Sequence, residues 1–333
     1  MQSDELSGLE DRPRVADAVA SAFRAVWGWT PETAPRALPL LRNAIRTALD
    51  LPSPTFLDVM RIVDEGRGRQ KATDPLNRRY WKRLESREQR YQDEAVDPVY
   101  TRLDTLLTPF VRGVLCQRPT FDLTQLMNEG QILICNLNKG AVGELNSHLL
   151  GAFIVSGIVQ AAFNRSPQFH QRRFYVFADE FQNYATDSFA TGLSEVRKYG
   201  LVFAGLAHQY LGQLPESVRS AIFGNTGTTV VFRVGAEDAS LLAAHTGGWV
   251  GDNDLPPAVL KELPNYHCVV RILRGGVPYT VRLETPPPPE PVHDRVEQLV
   301  RNSRTRFGRP RALVERAIAS RLSPPRRKRA RKW

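Results

Sequence analysis

The chain has 333 residues, of which 45 are lysine or arginine and 35 are aspartate or glutamate, so its formal net charge is +10. Hydrophobic residues make up 42% of the sequence and charged residues 24%, a composition that is typical of folded domains and excludes wholesale disorder. Three cysteines without a C-x-x-C spacing argue against a disulfide scaffold and against a cysteine-based zinc site.

The sequence contains no segment that we expect to be a leader or a membrane span. The first residues are acidic and lack an apolar stretch of the kind found in secretory signals. The longest apolar stretch, Leu149–Phe163, is shorter than the ~20 residues that cross a bilayer. We therefore expect a cytoplasmic chain.

The basic excess is concentrated at the carboxyl end. Residues 301–333 contain 13 lysines and arginines and one acid, a local charge of +12, which leaves −2 for the first 300 residues. Three possibilities remain open for this segment: it contacts the phosphates of a nucleic acid, it contacts anionic lipid, or it has no partner. The nucleic-acid hypothesis assigns the contact to the last cations of the chain, which are Arg326, Arg327, Lys328, Arg329, Arg331 and Lys332.

Up to about Leu115 the apolar residues recur at spacings of three and four, which predicts helices with one buried face each. No segment here has the pattern of a strand. The expected helices lie at Val15–Val26, Leu38–Leu49, Thr55–Val63 and Asp74–Tyr91.

The basic segment Arg78–Arg90 within the last of these helices is a second candidate for DNA contact. Glu85 and Glu88 lie within it, and they favour a solvated helix face over a binding surface.

From Gln131 onward, short apolar runs alternate with helical segments. This alternation is typical of a parallel sheet that is covered on both faces by helices. The glycines at 275 and 276 predict a hairpin between the last two runs. The expected strands are 131–137, 173–179, 201–207, 228–234, 267–273 and 277–283.

Polar side chains follow two of the expected strands. The strand at 173–179 ends in Asp179 and is followed by Glu180, and the strand at 201–207 is followed by His208 and Gln209. In an open α/β sheet the ligand lies outside the carboxyl ends of the strands. There one carboxylate can hold the water shell of a nucleotide-bound Mg²⁺ and another can polarise an attacking water. Arg197, before the second of these strands, also suits the carboxyl end of a helix as a dipole partner.

Several segments of the chain, in the same order along the sequence, resemble the TraG/TraD-type coupling ATPases of conjugative type IV secretion. These ATPases belong to the HerA/FtsK group of RecA-like DNA motors. The resemblance covers about residues 120–245. The matching segments are QILICNLNKGAVGE, FYVFADEFQN, LSEVRKYGLVFAGLAHQYLGQL and AIFGNTGTTVVFRVGAEDA.

The resemblance implies a fold and a function. The fold class is α/β, a partial RecA-like P-loop NTPase core with an N-terminal all-helical subdomain. Asp179 and Glu180 are then Walker B, with Glu180 as the catalytic carboxylate, Gln209 senses the γ-phosphate, and Arg197 acts across a subunit interface. ATP and Mg²⁺ are the implied cofactors. DNA, a homo-hexamer and relaxosome or secretion-channel proteins are the implied partners, at the inner face of the membrane.

One departure from this family concerns the phosphate-binding loop. A Walker A loop needs G-x-x-x-x-G-K-[ST], and none of the 23 glycines precedes a lysine. Two hypotheses remain. The chain is the Walker B half of a motor whose P-loop segment lies upstream, or it is a binding module without its own ATPase activity that docks on DNA or a relaxase.

The expected domains follow from these patterns. Residues 1–115 form the helical subdomain and residues 116–285 the half core. Residues 286–300 are a proline-rich spacer with a short helix, and residues 301–333 are a basic tail that is largely unanchored.

Overall fold

A computed structural model of the protein describes residues 2–165, 172–247, 255–290 and 293–322. The chain divides into two compact units. The helical unit comprises the described residues of 1–161 and 297–333, and the sheet unit comprises those of 162–296. This division differs from the expected domains in two ways. Residues 116–161 were expected in the half core but belong to the helical unit. Residues 297–322 also belong to the helical unit.

Residues 2–115 form helices, as their apolar spacing predicts, and no strand occurs in this part of the chain. The expected helix at Asp74–Tyr91 is two helices, because the backbone leaves the helical conformation at Glu88, where φ is −56° and ψ is 149°. The helices are α1 (Gln2–Trp27), α2 (Ala37–Leu49), α3 (Phe56–Asp64), α4 (Pro75–Glu85), α5 (Gln89–Leu106) and α6 (Pro109–Leu115).

Aromatic rings form the centre of the helical unit. Phe23 of α1 is fully buried, and its ring meets those of Phe56 and Phe153 edge-on at centroid distances of 5.6 and 5.1 Å. Leu40 and Leu41 of α2 pack in the same core. A cluster of this size stabilises a helical unit mainly by removing apolar surface from water.

Phe153 belongs to the long apolar helix of this unit. After α7 (Leu123–Glu129) and α8 (Lys139–Val142), the helix α9 covers Glu144–Phe163. At 20 residues it is longer than the apolar stretch suggested, and by length and composition it is the described helix that qualifies as a membrane span. The most apolar window of α9 is 61% buried, and Leu149 lies in the helical core. Its apolar character is therefore accounted for by packing.

The expected strand at 131–137 is wrong, because this segment has no regular secondary structure. Ile132 and Ile134 are 88% and 75% exposed. A strand requires a neighbour that accepts its backbone hydrogen bonds, and no described segment pairs with this one.

The expectation that residues after 300 are largely unanchored is wrong for the described part of the tail. Helix α14 covers Val296–Phe307 and helix α15 covers Arg311–Leu322. Val314 and Ile318 of α15 are buried against Leu57 and Cys116 of the helical unit. A helix with one buried face is held by that face, whatever the charge on its other side.

Two ion pairs join α15 to this unit. Arg112 Nη2 lies 2.9 Å from the carboxylate of Glu315, and Arg321 Nη1 lies 2.8 Å from that of Asp58. Burial raises the pKa of the Cys116 thiol beneath the helix to about 12, so the thiol stays protonated there. The cations of residues 326–332 lie outside the described residues.

The sheet unit contains two sheets where one parallel sheet was expected. One is a parallel pair of β1 (Phe174–Ala178) and β2 (Leu201–Leu206), and the other is an antiparallel sheet of the three strands that follow, which pair in chain order. The hairpin between the last two strands is present, as predicted, with both turn glycines at positive φ. The remaining elements are α10 (Asp187–Glu195), α11 (Glu216–Asn225), β3 (Thr228–Val231), α12 (Ala236–Thr246), α13 (Pro257–Lys261), β4 (His267–Arg274) and β5 (Val277–Glu284).

Candidate active site at the carboxyl ends of β1 and β2

The carboxyl ends of β1 and β2 meet because the two strands are parallel and adjacent. Phe174 is opposite Leu201 at one end of the ladder, and Ala178 is opposite Leu206 at the other. Two backbone hydrogen bonds extend the pairing beyond the strands, from the Ala207 N–H to the Ala178 carbonyl and from the Phe181 N–H to the Ala207 carbonyl. The residues that follow each strand are therefore held side by side.

Glu180 and Gln209 are in direct contact at this edge. The side-chain amide Nε2 of Gln209 donates a hydrogen bond of 2.7 Å to Oε1 of Glu180. Nε2 of Gln182 donates to the other carboxylate oxygen, at 2.5 Å. The Glu180 carboxylate therefore has an amide donor on each oxygen, and its position is fixed from two sides.

The backbone at Glu180 is in the left-handed region, with φ +50°. Residues without glycine's freedom adopt this conformation at a cost of about 1–3 kcal/mol, and such residues cluster at functional sites. The next four residues form a short 3₁₀ helix, Phe181–Tyr184. This turn brings Gln182 back toward the Glu180 carboxylate.

Asp179 lies next to this pair on the exposed edge of the sheet. Its Oδ1 accepts the backbone N–H of Glu180 at 3.0 Å, which leaves carboxylate oxygen available to solvent. Within the described residues no three His, Cys, Asp or Glu side chains come together as a metal cage. A single carboxylate fits the manner in which Mg²⁺ is bound when substrate phosphates and water supply its other ligands.

The first turn of α12 fixes the segment that carries Gln209. Asp238, which is 3% exposed, accepts the backbone N–H of Leu211 at 3.0 Å, and Glu237 accepts the hydroxyl of Tyr210. Burial lowers the pKa of His208, against the opposite effect of the nearby Asp238 and Glu180. Its ring lies edge-on to Phe181 at 5.0 Å.

Arg197 lies at the opposite end of the parallel pair, where the two strands begin. It belongs to the short 3₁₀ helix Val196–Tyr199 that leads into β2, whereas Gln209 follows the end of β2. The six residues of β2 span about 20 Å, so Arg197 does not reach Glu180 of its own chain. Its side chain is exposed.

Arg165, to which the sequence analysis assigned no role, holds the end of the pair at which both strands begin. Its guanidinium donates to the carbonyls of Tyr199 at 3.0 Å and Arg172 at 2.6 Å, the residues that lead into the two strands. Gln182 and Asp238 also had no predicted role. Their positions depend on the turn after β1 and on the approach of α12, which no short motif of the sequence encodes.

The structure is similar to solved structures of a conjugative coupling protein. The bacterial conjugative coupling protein TrwBdeltaN70, in an unbound form, matches with a TM-score of 0.61 and 17% identity, over 83% of this chain and 68% of that one. The chain has the fold of a coupling protein. No protein-family model matches the sequence, and no curated protein does.

Some of the similar TrwB structures contain a nucleotide. The complex with the non-hydrolysable ATP analogue ADPNP has a TM-score of 0.57 and 16% identity, over 84% of this chain and 70% of that one. The complex with ADP and Mg²⁺ has a TM-score of 0.56 and 18% identity, over 83% and 68%. At these identities the similarity establishes the coupling-protein fold, in keeping with the resemblance of the sequence.

Proposed function

We propose that this chain is the Walker B half of an ATP-driven DNA translocase that couples a DNA substrate to conjugative secretion. The contact of Gln209 with Glu180 at the carboxyl edge of a parallel strand pair carries the proposal. A carboxylate that is held by an amide from the neighbouring strand has the arrangement that a catalytic base and a phosphate sensor require. The coupling-protein fold and the nucleotide complexes of TrwB support it.

In this proposal each residue of the edge has one role. Asp179 would hold Mg²⁺ beside the nucleotide, and Glu180 would accept the proton of the attacking water. Gln209 exchanges its bond with Glu180 for one to the γ-phosphate, which reports that ATP is present. When bound, Mg²⁺ neutralises charge that develops on the phosphates.

Arg197 completes the site of a neighbouring subunit. Because it lies at the far edge from Glu180, its charge is useful to a nucleotide only across an interface. An arginine supplied from a second subunit stabilises the transition-state charge of phosphoryl transfer. The proposal therefore includes a ring, for which we propose a homo-hexamer, at the inner face of the membrane beside relaxosome or secretion-channel proteins.

The phosphates themselves need a further element. The sequence contains no G-x-x-x-x-G-K-[ST], whose backbone amides and lysine cradle a nucleotide. We propose that an upstream P-loop segment supplies it. The same observation favours the alternative, a DNA- or relaxase-binding module without ATPase activity. The genomic reading frame before Met1 distinguishes them: a P-loop motif there supports the motor, and a start codon with its own ribosome site supports the module.

The test of the motor uses Glu180→Gln in the chain together with its upstream segment. We expect DNA-stimulated ATP turnover to fall by about 10²–10⁴-fold, the range for removal of a general base, while ATP remains bound. Glu262→Gln is the control, because Glu262 is an exposed acid of the same unit that lies outside the parallel pair, after α13. Turnover by Glu180→Gln at the rate of the control contradicts the proposal.

A further inference from the structure

The outer face of α4 carries four cations and no acid. Arg78, Arg79, Lys82 and Arg83 lie at helical positions i, i+1, i+4 and i+5, so they share one side of the helix, and all are exposed. Two like-charge pairs at i,i+4 result, each of which destabilises the helix by about 0.2–0.5 kcal/mol. A solvated helix face ordinarily has charges of alternating sign.

The inner side of α4 fixes the direction of this face. Trp81 is 2% exposed, and its indole N–H donates to Thr47 Oγ1 of α2 at 2.8 Å. Asn77 donates to the same hydroxyl at 2.9 Å, and Asp74 caps the first turn of the helix. With one side anchored by buried hydrogen bonds, the opposite side is held toward solvent.

The acids that favoured a solvated face form no ion pair with its cations in the described part of the chain. The Glu85 carboxylate lies 3.7 Å from the guanidinium of Arg69, a buried residue on the inner side of α4. Glu88 lies beyond the end of α4, at the start of α5. The side chains of Arg79, Lys82 and Arg83 make neither an ion pair nor a hydrogen bond within the described part of the chain.

We infer that the outer face of α4, formed by Arg78, Arg79, Lys82 and Arg83, binds the phosphate backbone of DNA. Exposed guanidinium and ammonium groups that lack a counter-charge gain by releasing the counterions of a polyanion, and they do so without reading sequence. The choice of DNA as the polyanion rests on the proposed function. The surface itself belongs to the helical unit and requires no nucleotide.

The test measures DNA affinity of the full chain by fluorescence anisotropy across a salt series, without ATP, using a labelled 30-base duplex and a single strand of the same length. The variant is the triple substitution Arg79→Glu, Lys82→Glu and Arg83→Glu. The neutral triple Arg79→Gln, Lys82→Gln and Arg83→Gln separates charge from any fault of folding, which circular dichroism monitors. The control is the triple substitution Lys261→Glu, Arg274→Glu and Arg282→Glu. It changes the net charge as much as the glutamate triple of α4 does, at exposed positions of the sheet unit.

We expect both α4 variants to weaken binding at least about 10-fold and to reduce the slope of log affinity against log salt by about 2.7 on duplex and 2.1 on single strands. The control triple keeps the slope of the unmodified chain. An unchanged slope in the α4 variants, or an equal reduction in the control, overturns the inference while leaving the ATPase test of Glu180→Gln unaffected. Loss of binding to anionic vesicles with DNA binding intact also overturns it, in favour of a lipid surface.

Discussion

Glu180 combines a costly backbone conformation with a carboxylate that is hydrogen-bonded on both oxygens. A strained residue in a loop persists only where surrounding contacts determine its position, and the amides of Gln182 and Gln209 provide them. The sequence predicted that Asp179, Glu180 and Gln209 lie at one sheet edge, because polar residues followed two apolar runs. Their catalytic roles stay predictions. The bond from Gln182 was not predictable, because it depends on a left-handed turn that no residue type there demands.

At the same scale, His208 makes stability depend on pH. Burial lowers its pKa below the ordinary 6.5, so the unfolded chain binds a proton at a pH where the folded chain does not. The stability gained by keeping the ring neutral is complete above pH 6.5 and is lost as the pH falls toward the pKa of the folded state.

We therefore expect His208→Gln to flatten the dependence of Tm on pH below about 6.5, as measured by thermal denaturation. Part of the slope remains, because burial also lowers the pKa of His245. His293→Gln, at an exposed position, serves as the control and keeps the slope of the unmodified chain. Identical slopes for His208→Gln and its control contradict the assignment.

At the scale of elements, periodicity in the sequence predicted most helices and the individual strands β1 to β5, and it failed where partners decide the outcome. Residues 131–137 have the composition of a buried strand, yet both of their isoleucines are exposed, because whether a strand forms depends on the segment that would pair with it. Strand β3 has a similar apolar pattern and pairs antiparallel with β4 instead of joining β1 and β2. Helix α15 was not predicted, because the basic composition of this segment suggested an unstructured tail and only two of its residues are buried.

The anchoring of α15 gives a prediction at this scale. Ile318→Ala removes an apolar side chain that is 3% exposed, and we expect it to weaken the docking of the helix by about 2–4 kcal/mol. Trypsin should then cleave at arginines 311–321 faster than in the unmodified chain. Leu313→Ala on the same helix, where the side chain is 52% exposed, should change the rate little. Equal cleavage of the two variants would show that α15 is not held by this contact.

For the whole molecule, the unequal distribution of charge predicts two separate contributions to polyanion binding, one from α4 and one from the last residues. The tail after Leu322 contains six of the chain's cations between 326 and 332 and no acid. A chain that ends at Leu322 keeps α15 with its buried contacts, so it removes the tail without disturbing the described fold.

Shortening the chain to end at Leu322 is expected to lower the affinity for duplex DNA. The salt slope should fall by about 0.9 for each phosphate that the tail no longer neutralises, up to about 5 in total. A chain in which the same six cations are replaced by glutamine provides the matched control for length. The measurement is a salt titration of DNA binding for both. If neither affinity nor slope changes, the tail does not bind DNA.

The return of α15 to the helical unit also constrains how the protein is made. Asp58 and Arg321 are 263 positions apart, and the whole sheet unit is translated between them. At ~5–20 residues per second a ribosome needs about 13–53 s to cover that interval. During this time the first helices are already outside the ribosome, while the cluster around Leu57 and Cys116 still lacks the side chains that cover it. Within this stretch of chain, the helical unit is therefore begun before the sheet unit and receives its last helix after it.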